Sequence, residues 1–374
     1  MIVRLIRACV LLFLGAAPCL AAPMNSPNLT IAGVSIPPSA RTDLRVPVAA
    51  SATDPATEIP VTVFRGARPG PTLLAVAGVH GYEFASILAV EQLADRFDPA
   101  HLSGTLILVR VAHVPAFETR SVYVNPYDRK NLNRAFPGSP DGTQTERIAW
   151  ALSTELIANA DFVIDLHSGD GAEWLTPFVG VYGGPKASNY PQALAVAKAF
   201  RFPNLVRYQM HTQEQIDRGR SLNRQAVAAG KPTILVEIGE NGERYPAAVA
   251  AMVDGLYGAL VVLYMIPAPA AVYEESPRLF DGTTSVPVQH SGLWHPKAAQ
   301  GRAILKGEFL GTVRGYDGTL LETVYAPVAG YAIYGLAGPP IRAGESVMSI
   351  ALPTDSLEPT QTPQESDSGN DRNR

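Results

Sequence analysis

The sequence of 374 residues predicts an α/β fold in which a mixed, mostly parallel sheet is flanked by helices and followed by a small C-terminal all-β domain. Between residues 59 and 264, short and almost continuously apolar runs alternate with segments of helical periodicity. This alternation is typical of strands that are buried on both faces by helices. After Pro267 the helical periodicity gives way to short strand-like runs with many glycines, which indicates a separate β region.

The elements follow from these runs in chain order. Apolar or alternating runs predict strands at 59–65, 72–77, 105–111, 162–166 and 233–238. Apolar residues at helical spacing predict helices at about 83–97, 146–158, 191–200, 221–229 and 247–264. In the C-terminal region, short runs predict strands at 307–312, 324–327, 330–334 and 346–352.

The N-terminal segment 1–21 is predicted to be a signal peptide. Arg4 and Arg7 precede an apolar stretch, 8–17, that is too short to span a bilayer. Small residues at 19 and 21 fit the positions that a signal peptidase recognises, so we expect cleavage after residue 21 and export to the periplasm. A lipoprotein and an uncleaved anchor are weaker alternatives. We therefore expect no stable membrane anchor.

Composition sets the remaining boundaries and excludes some classes of protein. We predict a lead-in rich in Pro, Ala, Ser and Thr at 22–58, a main α/β domain at 59–270, an all-β module at 275–352 and a disordered tail at 353–374. The formal net charge is −4 without any basic block, which excludes nucleic-acid binding through a phosphate-neutralising surface. Both cysteines, Cys9 and Cys19, lie in the predicted leader, so disulfides and thiol ligands are excluded from the exported protein.

Candidate metal ligands follow two of the predicted strands. His80 and Glu83 stand three residues apart, directly after the strand at 72–77, and His167 ends the strand at 162–166. Two histidines and one glutamate form the ligand set of a catalytic zinc with an open fourth position. A lone histidine is more often a structural residue, but three suitable ligands near strand ends favour one zinc ion per chain. Asp165, two residues before His167, is placed to orient its imidazole.

A candidate base lies in the strand at 233–238. A carboxylate such as Glu237 within an apolar strand is costly unless it is paired or functional. We interpret Glu237 as the general base that takes a proton from the attacking water and later delivers it to the leaving amine. A buried ion pair with an arginine is the structural alternative, and Glu240 is the nearest competitor for the role.

Substrate contacts are predicted in the loop between the first and second helical segments. Asn133 and Arg134 offer an amide and a guanidinium fork that match a carboxylate, with charge-assisted bonds of about 1.5–3 kcal/mol each. Arg120 is a candidate for polarising the scissile carbonyl and stabilising the oxyanion. Arg129 is an alternative for that role, and a surface position is an alternative for Arg120.

Four segments carry a family resemblance: GVHGYE, DRKNLNRAFPG, DLHSG and VEIG at 78–83, 128–138, 165–169 and 236–239. Together they resemble the succinylglutamate desuccinylase/aspartoacylase family, a branch of the zinc carboxypeptidase-like hydrolases, over residues 59–352. The resemblance implies a barrel-like C-terminal domain. It also implies roles that we list by residue: metal ligation by His80, Glu83 and His167, acid/base catalysis by Glu237, carboxylate binding by Asn133 and Arg134, and, more loosely, carbonyl polarisation by Arg120. Family members usually have Asn before the proline in 111–115, where this chain differs and carries His113 nearby.

These observations predict an exported zinc-dependent hydrolase that cleaves an amide bond. The expected substrate is an N-acyl amino acid or related small molecule or peptide with a free carboxylate. A periplasmic metallocarboxypeptidase or cell-wall peptide amidase requires the same machinery and stays open. A zinc-dependent binding protein without turnover is the alternative from another class. A homo-oligomer is compatible with the sequence.

Overall fold

The computed structural model describes residues 29–184, 190–267 and 276–358, so the predicted signal peptide and residues 359–374 lie outside it. The strands are β1 (Leu29–Ile31), β2 (Val34–Ile36), β3 (Ala40–Val48), β4 (Thr57–Arg65), β5 (Arg68–Ala77), β6 (Ser103–Val109), β7 (Phe162–His167), β8 (Glu173–Gly183), β9 (Asn204–Gln209), β10 (Thr233–Glu240), β11 (Arg278–Pro287), β12 (Gly292–Pro296), β13 (Ala303–Ile304), β14 (Phe309–Arg314), β15 (Leu320–Tyr325), β16 (Gly330–Leu336), β17 (Pro340–Ile341) and β18 (Ser346–Pro353).

The helices are α1 (Phe84–Arg96), α2 (Val114–Glu118), α3 (Gln144–Ala151), α4 (Tyr190–Ala199), α5 (Gln213–Arg218), α6 (Leu222–Ala228) and α7 (Pro246–Val262). A π-helical segment, Leu152–Ile157, continues α3. Within the described ranges, no helix combines the length and the apolar character that crossing a membrane requires.

A mixed sheet of twelve strands forms the frame of the protein, in the order β13-β16-β18-β11-β9-β8-β10-β7-β5-β6-β4-β3. Strands β6, β5, β7 and β10 are parallel neighbours, and so are β8, β9 and β11. The two blocks meet at the antiparallel pair β8 and β10. The sheet is mixed, as predicted, but it is not mostly parallel. The connection from β7 to β8 is too short for a parallel crossover, so β8 runs back antiparallel to the first block.

Both faces of the central strands are buried, which explains their continuous apolar sequences. On one face, Leu73 and Ala75 of β5 belong to a core with residues of α1, α4 and α7. On the other face, Leu74 and Val76 belong to a core with residues of α3 and α6. Each fully buried Leu or Val contributes about 1.5–3 kcal/mol relative to an exposed position.

The segment predicted as a lead-in supplies part of the sheet. From residue 29 onward it forms β1 and β2, which pair with each other as a separate two-stranded sheet, and β3, which pairs with β4 along its whole length as the edge strand of the main sheet. Leu44, Val46 and Val48 point to the core, while the residues between them are exposed. The polar residues of this half-buried strand explain why composition alone indicated a lead-in.

The C-terminal β region is joined to the main sheet and does not stand apart from it. The first residues of β8 pair with β16 and its later residues pair with β9, so β8, β9, β11, β18 and β16 close into a small barrel. Phe178, Val206, Phe280 and Ile333 fill one buried cluster of this barrel. Strands β15, β14, β12 and β17 form a separate four-stranded sheet.

Residues 353–358, at the start of the predicted disordered tail, are ordered. Leu357 is 3% exposed and packs in the core with α4 and α7. The guanidinium Nη1 of Arg207 donates to the backbone oxygen of Glu358 at 2.9 Å. These contacts correct the predicted start of the tail.

The burial of His113 leads us to expect that the stability of the protein depends on pH. It is fully buried before α2, with Nδ1 3.3 Å from the backbone oxygen of Val79, and burial lowers its pKa to about 4. In the unfolded chain its pKa is about 6.5, so below that pH the unfolded state takes up a proton that the folded state refuses. We expect the free energy of unfolding to be constant with respect to His113 above pH 6.5 and to fall by roughly 3 kcal/mol towards pH 4.

Denaturant unfolding of the wild type and of His113→Gln between pH 4 and pH 7 measures this contribution. The difference between their unfolding free energies should change with pH by the amount stated. A difference that is independent of pH would show that His113 keeps an ordinary pKa.

Candidate active site

Three neighbouring strands bring the predicted metal ligands and base to one edge of the sheet. β5, β7 and β10 are parallel, and Glu237 of β10 lies opposite His167 of β7 in the register. His80 follows the end of β5 in the turn before α1, and Glu83 is the residue before that helix. The carboxyl ends of parallel strands are where ligands bind in open α/β sheets.

The ligand atoms of His80, Glu83 and His167 all lie within 4.8 Å of one another. Nδ1 of His80 is 2.6 Å from Oε1 of Glu83, and Nδ1 of His167 is 2.8 Å from Oε2. All three side chains are buried. Two imidazoles and a carboxylate that converge in this way match the protein ligands of a catalytic zinc, so the residues present fit the predicted ion.

Two glycines shape the turn that carries His80 and Glu83. Gly78 has a φ of +68°, a conformation that L side chains rarely adopt. A Cβ on Gly81 would lie 2.4 Å from the backbone carbon of Ala116, so only glycine lets the turn approach α2 this closely. The sequence Gly78-Val79-His80-Gly81 therefore fixes the direction from which His80 enters the site.

The charges of the cluster are strongly coupled. Burial disfavours ionisation of Glu83, but His167 and His80 outweigh it and lower its pKa to about 2. Burial also disfavours the imidazolium of His167, but Asp165 and Glu83 outweigh it and raise its pKa well above the ordinary value. A metal ion requires the neutral imidazole, so protons and metal compete for His167.

Polar residues behind the cluster lie close to the other ring nitrogens of the two imidazoles. Asp165 Oδ1 lies 3.0 Å from Nε2 of His167, and Asn223 of α6 donates to Asp165 Oδ2 at 2.7 Å. Thr233 in turn donates to Asn223 at 2.8 Å. Nε2 of His80 lies 3.2 Å from Oδ1 of Asn131. Asp165 thus lies beside the imidazole of His167, and its role in orienting that ring stays a prediction.

The Asp165→Asn variant should bind zinc about 10–100-fold more weakly than the wild type, because the partner that orients and polarises His167 loses its charge. Competition with a chelator of known affinity measures the change. Asp95→Asn, which alters an exposed carboxylate of α1, is the matched control and should leave the affinity unchanged. Equal affinities in both variants would contradict the orienting role of Asp165.

Glu237 lies beside the cluster and lines the same cavity. Among the described residues, its carboxylate has no ion pair with an arginine, so the predicted structural alternative is not observed. Burial raises its pKa well above the ordinary value, and the nearby carboxylates of Glu83 and Glu173 add to this while His167 opposes it. Glu240 lies farther along β10 and does not line the cavity described next.

A cavity of about 730 Å³ opens in front of the cluster. It is lined by residues from the predicted site and by polar residues of other loops: His80, Glu83, Tyr123, Asn131, Asn133, Arg134, His167, Glu173, Tyr182, Arg218, Gly219, Arg220, Ser221, Asn223, Arg224, Leu235 and Glu237. Asn133 accepts from the amide of Leu222 at 3.0 Å, and Arg134 Nη1 donates to the Asn133 backbone oxygen at 2.7 Å. Asn133 and Arg134 therefore face the same space as the metal ligands.

Arg120 is not part of this cavity. It is exposed after α2, where the chain reverses with a φ of +53°, and Arg129 is likewise exposed and outside the cavity lining. The structure therefore does not place Arg120 or Arg129 where either would polarise a bound carbonyl. The arginines that do line the cavity, besides Arg134, come from the end of α5 to α6 and include Arg218 and Arg224.

Several cavity residues were not predicted from the sequence. Tyr123 comes from irregular chain, and Glu173 comes from the start of β8, a strand that was not predicted. Asn223 comes from the short helix α6. The stretch 211–224 carries three arginines and several amides among few apolar residues, which in retrospect is the signal for a segment that faces a polar cavity.

Comparison with known proteins gives consistent relatives. A sequence model of the succinylglutamate desuccinylase/aspartoacylase catalytic domain matches residues 69–263. The chain is 32% identical over 268 residues to N-alpha-acetyl-L-2,4-diaminobutyric acid deacetylase of Halomonas elongata. The matched region covers 70% of this chain and 75% of the relative.

Solved structures agree with this. The product-bound ectoine utilization protein EutE (DoeB) of Ruegeria pomeroyi superposes with a TM-score of 0.74 at 26% identity, over 83% of this chain and 95% of that one. A succinylglutamate desuccinylase of Silicibacter sp. TM1040 superposes with a TM-score of 0.73 at 26% identity, over 84% and 95%.

Proposed function

The chain belongs to the succinylglutamate desuccinylase/aspartoacylase family and is an amide hydrolase, and from this premise we propose that it removes the acyl group from N-acyl amino acids with a free carboxylate. In the proposed site, His80, Glu83 and His167 hold one zinc ion, and Glu237 is the base. The observation that carries the proposal is the carboxylate of Glu237, which has no ion pair among the described residues and lines one cavity with a buried His-Glu-His cluster.

Residues of the cavity bind the substrate and transfer the proton. Arg134 and Asn133 bind the substrate carboxylate and fix the amide in front of the cluster. When bound, zinc supplies Lewis-acid polarisation of the acyl carbonyl and increases the acidity of water. Glu237 accepts the proton of the attacking water, which its raised pKa favours, and delivers it to the nitrogen of the leaving amine.

Two observations favour this reaction over its alternatives. The curated relative is named as a deacetylase of an acetylated amino acid, which favours deacylation over peptide trimming. Glu237 would have no purpose in a zinc-dependent binding protein, since metal and carboxylate binding need no base. We also propose that residues 1–21 direct export to the periplasm, on the basis of their basic and apolar pattern.

A substrate panel with the purified protein tests the proposal. Zinc content by elemental analysis should approach one ion per chain. N-acetyl and N-succinyl amino acids should be hydrolysed, while dipeptides with a free amino terminus should not. Faster hydrolysis of dipeptides would instead support a carboxypeptidase, and zinc binding without turnover of any substrate would support a binding protein.

A further inference from the structure

Glu173 is a carboxylate in the cavity wall that the reaction above does not use. It begins β8 and accepts a hydrogen bond from the hydroxyl of Tyr123 at 2.8 Å. The amide nitrogen of Asp170 lies 3.4 Å from its other oxygen. The ring of Tyr123 packs edge-on against His80 with centroids 5.2 Å apart, so Glu173 stands close to the metal ligands without contacting them.

No cation of the chain neutralises Glu173 within residues 29–184, 190–267 and 276–358. The nearest acid adds to the negative charge: Asp170 is 1% exposed, and its Oδ2 has no hydrogen-bond partner among the described residues. Burial and Asp170 raise the pKa of Glu173 to about 8, although the bond from Tyr123 opposes the shift. A carboxylate placed in this way gains most from a positively charged group that enters the cavity.

The cations of the cavity lie on other segments. Arg134 belongs to the predicted carboxylate-binding loop, Arg218 and Arg224 belong to α5 and α6, and Arg220 lies between these two helices. Arg218 already pairs with Glu214, and Arg224 Nη1 donates to the backbone oxygen of Gln215 at 3.0 Å. The cavity therefore has a cationic part that suits the substrate carboxylate and an acidic part at Glu173, whose carboxyl group ionises when a positively charged substituent enters beside it.

We propose that Glu173 selects N-acyl amino acids whose side chain ends in an ammonium group, and that Tyr123 and Asp170 position its carboxylate for that contact. The inference rests on the proposed deacylase function, because it assigns the part of the same cavity that receives the amino-acid side chain. A charge-assisted hydrogen bond to a partly desolvated carboxylate is among the stronger polar contacts, and it discriminates sharply against an apolar isostere.

Matched pairs of substrates test the proposal. N-α-acetyl-L-ornithine and N-acetyl-L-norleucine differ in an ammonium against a methyl group of similar size, and the acetyl derivatives of L-2,4-diaminobutyrate and L-norvaline form a shorter pair. We expect the wild type to prefer the cationic member. In Glu173→Gln the ratio of kcat/KM values, cationic to neutral, should fall by roughly 10- to 100-fold. A purely structural role would lower both values together and leave the ratio unchanged.

Tyr123→Phe is the comparison variant, because it removes the hydrogen bond that positions Glu173 but leaves its carboxyl group, and it should keep a reduced preference for the cationic member, between those of the wild type and Glu173→Gln. An unchanged ratio in Glu173→Gln, or a wild type without preference while both substrates are deacylated, would overturn the inference and leave the deacylase function standing.

If no acyl amino acid is hydrolysed, calorimetry can still test ammonium recognition by measuring the binding of free L-ornithine and free L-norleucine. The absence of hydrolysis would reject the deacylase function. Tighter binding of ornithine by the wild type, lost in Glu173→Gln, would still support ammonium recognition, whereas equal binding of both amino acids would overturn it.

Discussion

Replacing His167 with alanine should abolish stoichiometric zinc binding and reduce hydrolysis of an N-acyl amino acid by about 10³-fold or more, since the Lewis acid supplies several kcal/mol of transition-state stabilisation. His167 is 3% exposed, and its Nδ1 lies 2.8 Å from Oε2 of Glu83, so its imidazole is fixed inside the ligand cluster. His80→Ala should have the same effect, because it removes a ligand from the same cluster. Elemental analysis and initial rates measure both quantities.

His101→Ala is the matched control, because His101 is exposed and remote from the ligand cluster. It should retain one zinc per chain and full activity. Zinc that stays bound at one equivalent in both His80→Ala and His167→Ala would reject the site. The thermal unfolding of each variant in the presence of a chelator separates loss of metal from loss of fold.

Replacing Glu237 with glutamine should lower kcat by about 10²–10⁴-fold while zinc remains bound at one ion per chain. Glutamine has nearly the shape of glutamate but cannot carry the proton from water to the leaving amine. Since Glu237 is not a member of the ligand cluster, its replacement separates proton transfer from metal binding. KM for the acyl amino acid should change little, because Asn133 and Arg134 remain in place.

Glu240→Gln is the control for this variant. Glu240 lies on the same strand but outside the cavity lining, so its replacement should leave kcat near the wild-type value. If Glu240→Gln inactivated the enzyme and Glu237→Gln did not, the assignment of the base would be wrong. The pH profile of kcat gives a second readout, because loss of the base should remove the acidic limb that Glu237 produces.

The part of the site that the sequence predicts is the part that regular structure positions. The apolar run before His80 and those that contain His167 and Glu237 are strands, and parallel neighbours end at the same edge. Periodicity is enough to place such residues, because strand direction and burial follow from it. The spacing of His80 and Glu83 adds a local geometry that depends only on a few backbone angles.

The position of the Arg120 side chain could not be predicted from periodicity. Its predicted role required a side chain to point into the cavity from irregular chain, but the left-handed backbone at Arg120 turns it to solvent. Asn223 and Glu173 enter the site from elements that have weak or mixed periodicity. Their positions follow from tertiary contacts, such as the hydrogen bond from Asn223 to Asp165, which no local pattern encodes.

Strand β8 connects the catalytic edge of the main sheet with the C-terminal region. It pairs with β10 beside the catalytic edge, with β9 in the barrel, and with β16 from the C-terminal region, and it supplies Glu173 and Tyr182 to the cavity wall. The C-terminal region therefore cannot detach without exposing backbone groups of a strand that carries the active site. We expect a single cooperative unfolding transition, with amide protons of Val179 to Tyr182 exchanging only through global opening. A chain that ends before β11 would lose its activity through the collapse of a shared wall, even though every predicted metal ligand would still be present.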